Sequence, residues 1–266
     1  LGNYQRESLL QVAVALELIH MATLVHDDVI DDADRRRGRK TVKSAWDNRV
    51  AMYTGDFIIS RALQQITQIE ALEVHRSLSR AIFEMCKGEI DQIQDLYCTE
   101  QSLKRYLHRI KRKTALLMAI SCKLGAMVSQ APPALVHRMH QYGYYVGMAF
   151  QLTDDVLDIR GDEKVIGKPA GGDLRQGNVT LPVIYALKNG ETEKREKLLT
   201  YLTSQGQEGE LKEILAFVQS SGGVEYTLDL SRRYYQKAIQ ALDPLPNSLE
   251  KKSLQLLAEF IVERSY

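Results

Sequence analysis

Two short segments hold the residues best suited to chemistry. Residues 27–31 read Asp-Asp-Val-Ile-Asp, and residues 154–158 read Asp-Asp-Val-Leu-Asp. Each closes a long apolar stretch with helical spacing. Asp27 and Asp31, and likewise Asp154 and Asp158, therefore stand four residues apart on one helix face. Like charges at that spacing destabilise an exposed helix by about 0.2–0.5 kcal/mol per pair, and by more when desolvated. A solvated helix end would account for one such cluster, but a second with the same spacing points to cation binding. Oxygen ligands without His or Cys select a hard cation, and Mg²⁺ is the best candidate. Mg²⁺ binds through one or two carboxylates plus substrate phosphates, so facing clusters would grip a phosphorylated ligand. Arg35, Arg36 and Arg37 follow the first cluster at once. Their planar forks suit phosphate oxygens, although cations there would also complement a helix C-terminus closed by Gly38.

The elements that must position these residues are helices. Apolar residues recur at three- and four-residue spacing over about 7–33, 50–67, 70–97, 101–129, 133–160, 207–219, 224–242 and 248–264. Pro132–Pro133, Pro244 and Pro246 separate such stretches, and Thr180 with Pro182 marks a helix start. The spacing predicts an all-α fold, a single-domain bundle of about ten helices whose two aspartate clusters can point into a common cavity. Residues 161–179 form the one long irregular stretch, and a loop of that length in a helical domain is usually functional.

The rest of the composition narrows the classes. The 266 residues are 44% apolar and 26% charged with a net charge of +1, an ordinary globular balance without the field that nucleic acid or anionic lipid would attract. Cys86, Cys98 and Cys122 are too few for a disulfide framework or zinc site and fit a reducing cytoplasm. The apolar run at 9–25 is interrupted by Gln11, Glu17 and His20, which favours a core helix over a membrane span. No EF-hand spacing supports a calcium-binding module.

Taken together, "HDDVIDDADRRRG" (26–38) and "FQLTDDVLD" (150–158) resemble the two aspartate-rich motifs of the trans-isoprenyl diphosphate synthases. "YTGDF" (53–57), "GEIDQ" (88–92), "KT" (113–114) and "GKPAGGDLRQGNVTLP" (167–182) follow in the family's order. The resemblance covers nearly all of the chain and implies the isoprenoid synthase type of bundle. Its wording is most like the large catalytic subunit of bacterial two-component hexaprenyl and heptaprenyl diphosphate synthases. It implies three Mg²⁺ ions bound through Asp27, Asp31 and Asp154, with Asp28, Asp155 and Asp158 assisting. Arg36, Lys113 and Lys168 would hold the allylic diphosphate and Arg37 the isopentenyl diphosphate. Thr114 and Gln151 would stabilise the allylic cation, and the departed diphosphate would take the proton. The glycines around Lys168 suggest a flap closing over diphosphate.

The same resemblance implies Mg-dependent head-to-tail condensation of isopentenyl diphosphate with an allylic primer such as farnesyl diphosphate, for menaquinone side chains. It further implies a small non-identical regulatory subunit, a cytoplasmic location and transient membrane contact for product release. The product tail would run down the first aspartate helix. The positions five and four before Asp27 are Ala22 and Thr23, neither aromatic, with Leu18, Ala15 and Gln11 below. Ala22 to Gln11 is roughly 16 Å of helix, which favours a product of about C30–C40. Close helix packing would equally explain the alanines.

Two features depart from the family. Its Gly-Gly-Lys-x-Arg segment, which binds isopentenyl diphosphate, has no counterpart, so residues 1–266 read as a polyprenyl synthetase domain lacking its N-terminal helices. Asn178 stands where many relatives have Lys. Competing readings are a homodimeric geranylgeranyl- or octaprenyl-type synthase, a terpene cyclase or head-to-head synthase, and a non-catalytic regulatory subunit. Two complete motifs argue against a cyclase, and six intact aspartates argue against a regulatory subunit.

Overall fold

A computed structural model of the chain describes residues 6–161, 170–207 and 209–264. The fold is all-α, with one two-stranded hairpin among the described residues. Its contacts separate two compact units, Leu1–Ala81 with Ile120–His140, and Ile82–Ala119 with Gln141–Tyr266.

The first unit is built on α1 (Arg6–Ile30) and α3 (Asn48–Ile66). Val12, Ala15, Leu16, Ile19 and Ala22 form the buried stripe of α1. Ala51, Gly55, Ala62 and Ile66 form that of α3, and small side chains on both faces let the two helices approach closely. α1 is long and apolar enough to cross a membrane by length and composition, and here it packs on α3. Asp47 caps α3 by accepting the Val50 N–H, and Thr41 caps the short α2 (Val42–Ala45) through Ser44 N–H.

α4 (Leu72–Gln94), α6 (Leu116–Val128) and α7 (Pro133–Arg160) contribute to both units. The second unit adds α5 (Leu103–Ile110), a π-helical turn (Lys111–Ala115), α8 (Gly172–Arg175), α9 (Leu181–Asn189), α10 (Thr192–Thr203), α11 (Leu211–Ser220), α12 (Gly223–Ala241) and α13 (Leu249–Glu263). Its core gathers Tyr106, Met148, Leu152, Ile159, Leu174, Leu198 and Val218 with α9, whose Leu181–Ile184 are all buried. Each such side chain contributes about 1.5–3 kcal/mol on burial. Ser231, fully buried, donates to the Ala149 carbonyl at 3.1 Å and lies 3.0 Å from Thr153 Oγ1.

Most helices fall where the spacing predicts, and α7 matches at both ends. Several details differ, among them the short α8 (Gly172–Arg175) inside the 161–179 stretch expected to be irregular. α1 stops at Ile30 rather than about 33, because Asp32 turns left-handed (φ 52°). Gly38 does not end that helix. It follows Arg37 in the two-residue turn of a hairpin pairing Arg35 with Lys40 and Arg36 with Arg39, and both turn residues have positive φ (50° and 77°). The stretch 101–129 is interrupted by the π turn. α10 was not predicted, because its polar sequence buries only Leu198, Tyr201 and Leu202.

Candidate active site

The two aspartate motifs lie in different compact units. At the end of α1, Asp31 N–H donates to the Asp27 carbonyl at 2.7 Å, so the two stay one helical turn apart after the helix formally ends. Asp28 is buried, 6% exposed, and Arg36 Nε donates to its Oδ1 at 2.7 Å. The hairpin thus returns Arg36 to the helix that precedes it, while Arg37 at its tip is exposed. Lys43 pairs with Asp32 on the solvent side.

Before the motif, His26 Nε2 lies 3.2 Å from the Met52 carbonyl and 3.3 Å from Asp56 Oδ1 on α3. Both partners accept, so this nitrogen carries the proton. A Cβ on Gly55 would stand 2.2 Å from the same nitrogen, so the glycine of "YTGDF" makes room for the histidine. Asp56 lies within α3, one residue after Gly55. Ala15 and Ala22 are fully buried, and Thr23 donates to the His20 carbonyl at 2.8 Å. Leu18 lines a cavity of about 370 Å³ with Val14, Phe57, Ile58, Arg61 and Gln64.

The second unit assembles a denser group. The π turn Lys111–Ala115 fits between two glycines: a Cβ on Gly88 would stand 2.7 Å from Arg112 Cβ, and one on Gly147 would stand 2.5 Å from Ala115 Cα. A π turn inserts an extra residue per turn and is frequent at functional sites. Arg112 is clamped by Glu84 at 2.8 Å and by Asp91, and Lys113 Nζ lies 3.3 Å from Glu89. Thr114 Oγ1 donates to Gln151 Oε1 at 2.6 Å. The two residues assigned to cation stabilisation are therefore in direct contact.

The carboxylates of α7 have distinct surroundings. Asp154 accepts from Arg264, whose guanidinium lies 4.1 Å from the Phe150 ring centroid. Asp155, 2% exposed, accepts from Tyr106 Oη at 2.5 Å and from Gln151 Nε2 at 2.8 Å. Asp158 accepts the Gly172 and Asp173 N–H groups at 3.0 and 3.2 Å, tying α8 to α7. Burial raises the pKa of all three above the ordinary carboxylate value, opposed by Arg264 at Asp154 and by backbone N–H groups at Asp158. Asp155 is pushed up to about 6. Asp173 is raised well above the usual range, first by burial and then by the Asp158 and Asp155 charges.

These carboxylates fit a hard divalent cation. They are oxygen donors in mutual repulsion that bound positive charge would relieve. Among the described residues no three acidic, His or Cys side chains form a ready-made cage. The two inner aspartates, expected to assist the metal ligands, have protein partners of their own. Asp28 is engaged by Arg36, and Asp155 by Tyr106 and Gln151. Lys168 lies outside the described residues. Asn178 is buried and donates its N–H to the Asp173 carbonyl at 2.8 Å.

Sequence reasoning missed Tyr106, Asp173, Arg264 and Gly147. Tyr106 stands seven residues before Lys113, a two-turn interval that was readable. Arg264, 110 residues from its partner, left no local signal.

The polyprenyl synthetase family profile matches residues 1–218. The chain is 49% identical over 265 residues to "Heptaprenyl diphosphate synthase component 2" of Bacillus subtilis (strain 168), spanning 100% of this chain and 75% of that protein. Among solved structures, heptaprenyl diphosphate synthase from Staphylococcus aureus superposes with a TM-score of 0.87 at 38% identity, covering 96% of this chain and 79% of that one. A polyprenyl synthase from Caulobacter crescentus, complexed with calcium and isoprenyl diphosphate, gives 0.90 at 32%, covering 96% and 78%. The helical fold and the paired aspartate motifs define an isoprenoid-building transferase. The chain belongs to the polyprenyl synthetase family and is a prenyltransferase. The family is divalent-metal dependent, and its reaction is trans-prenyl chain elongation.

Proposed function

We propose that this chain is the catalytic component of a two-component synthase. It condenses isopentenyl diphosphate onto an allylic primer, farnesyl diphosphate, to give an all-trans polyprenyl diphosphate of about C30–C40, neither Ala22 nor Thr23 being an aromatic floor. The product serves menaquinone side-chain synthesis. The observation that carries this reading is on α7. Gln151, in contact with Thr114, stands one turn before Asp154 and two turns before Asp158. The amide oxygen that would face a carbocation and the α7 carboxylates that would hold its leaving group thus share one rigid element, with Thr114 brought to it from the π turn.

Magnesium bound through Asp27, Asp31 and Asp154, three ions in all, would neutralise charge developing on the departing diphosphate. The chain's own residues do the rest. Arg36, Lys113 and Lys168 hold the allylic diphosphate, and Arg37 the isopentenyl diphosphate. Asp28 orients Arg36, and Asp158 anchors the segment after the Lys168 loop. Thr114 and Gln151 turn oxygen dipoles toward the cation left by C–O cleavage. The isopentenyl double bond attacks it, and the proton passes to the released diphosphate.

The whole chain is read as one synthetase domain acting in the cytoplasm and touching the membrane to release product. A small non-identical partner is supported by the relative's name, "component 2". It is supported too by the exposed stripe of Phe83, Ile90 and Ile93 on α4, 64%, 55% and 52% exposed. The test incubates the protein with farnesyl and labelled isopentenyl diphosphates and Mg²⁺, with and without a candidate partner, and sizes the product. Partner-dependent C30–C40 product supports the reading. Partner-independent C20 or C40 product would establish the homodimeric alternative.

A further inference from the structure

The strongest unassigned feature is a directed hydrogen-bond chain, Tyr106–Asp155–Gln151–Thr114. Tyr106 is fully buried on α5, and its hydroxyl donates to Asp155 Oδ2 at 2.5 Å. The other carboxylate oxygen accepts from Gln151 Nε2 at 2.8 Å. Gln151 Oε1 in turn accepts from the Thr114 hydroxyl at 2.6 Å.

An amide has one donor end and one acceptor end, and a rotation of half a turn exchanges them. What prevents that rotation is the partner at each end. Asp155 Oδ1 accepts from the amide nitrogen and so turns the amide oxygen toward Thr114. Thr114 donates to that oxygen, which leaves both oxygens only lone pairs to offer a further partner. With the amide reversed, its N–H groups would present the positive end of the dipole where a cation forms.

Tyr106 is well placed to fix this state. Its hydroxyl satisfies the carboxylate oxygen that Gln151 does not reach, and both residues are buried, where an unmatched carboxylate oxygen is costly. Burial, followed by the Asp155 charge, raises the phenol pKa well above its ordinary value, so the group remains a donor. Its ring is also held. The Arg109 guanidinium lies 5.6 Å from the ring centroid and is itself anchored to the Val179 carbonyl at 2.8 Å.

We propose that Tyr106 is a positioning residue for prenyl transfer: through Asp155 it sets the orientation of the Gln151 amide, and so the sign of the dipole that the Gln151–Thr114 pair presents to the allylic cation. The inference rests on the proposed elongation reaction and adds a residue that does not touch substrate.

The experiment uses Tyr106→Phe, which keeps the ring and removes only the hydroxyl, and Gln151→Ala, alone and combined. Tyr106→Phe should lower kcat by about 10–100-fold, the usual effect of losing an orienting outer partner. KM for both diphosphates, and affinity for a non-ionisable allylic thiolodiphosphate, should stay within about twofold, since orientation of a cation-facing dipole leaves ground-state binding alone. In the Gln151→Ala background the same change should have no further effect on kcat. A variant of independent design, Asp155→Asn, keeps an acceptor for Tyr106 but presents an NH₂ to Gln151, and should reproduce the kcat loss and the same non-additivity. Elongation by the unmodified protein with unchanged kcat in Tyr106→Phe and in Asp155→Asn overturns the inference. So does an equal loss with and without Gln151, which would mark a general structural role. Failure of the unmodified protein to elongate any allylic primer, with every candidate partner, would instead overturn the reaction proposed above.

Discussion

Arg264 and Asp154, 110 residues apart, are joined by a charge-assisted hydrogen bond from the guanidinium at the end of α13 to the first carboxylate of the second aspartate motif. The same guanidinium donates to the Phe150 carbonyl at 3.1 Å. A metal at Asp154 must compete with this arginine. Arg264→Gln should therefore lower the magnesium concentration giving half-maximal activity by about two- to tenfold, since a competing state reduces apparent affinity by its population. A magnesium titration of initial rates checks this. An unchanged or raised requirement would show that the arginine does not compete.

The π turn depends on close backbone approach. A methyl at Gly147 would meet Ala115 Cα at 2.5 Å, and backbone cannot step aside as a flexible side chain can. Gly147→Ala should destabilise the protein by about 1–3 kcal/mol despite the better helix propensity of Ala. It should also move Thr114 from Gln151 and lower kcat. Chemical denaturation and steady-state rates measure the two effects.

Stability should carry a signature of Asp155. Its folded pKa is raised to about 6 by burial, above the unfolded value. The folded state therefore binds the proton more tightly. The resulting stabilisation is fully present below the unfolded carboxylate value of about 3.9 and is lost as pH rises through about 6. The difference amounts to about 3 kcal/mol. In metal-free protein, the stability of the wild type relative to Asp155→Asn should fall across that interval and then level off, as read by denaturation at each pH.

Product length should respond to α1 at specific positions. Ala22 is fully buried, so Ala22→Phe has no space and should cost about 1–3 kcal/mol or more by overpacking. Leu18 borders the cavity of about 370 Å³. If the tail uses this cavity, Leu18→Phe should shorten the main product with little loss of stability. Chromatographic sizing of products from both variants decides it.

What could be read in advance follows from range. α7 was legible at both ends because Pro132–Pro133 punctuate its start and its apolar period continues to the second motif. The six aspartates were singled out because their type and i, i+4 spacing carry meaning locally, whereas Thr114 and Gln151 came only from the family resemblance. The hairpin was hidden because Arg35–Arg37 read as a cationic helix end, and Arg37 is a poor advertisement for a turn requiring positive φ. The π turn was hidden because Lys111–Ala115 has ordinary helical composition; its geometry fits tertiary contacts at Gly88 and Gly147. Tyr106 and Arg264 act across 49 and 110 residues, and local periodicity does not report pairings at that separation.

The central claim is that the aspartates of α1 and α7 drive metal-dependent ionisation of an allylic diphosphate for chain elongation. The most direct measurement is incorporation of labelled isopentenyl diphosphate into farnesyl diphosphate by the wild type, Asp27→Asn and Asp154→Asn, each with and without Mg²⁺. The account predicts incorporation by the wild type only with Mg²⁺, and a loss of kcat by about a thousandfold in either variant without loss of folding. Metal-independent incorporation, or wild-type rates in Asp154→Asn, would contradict it.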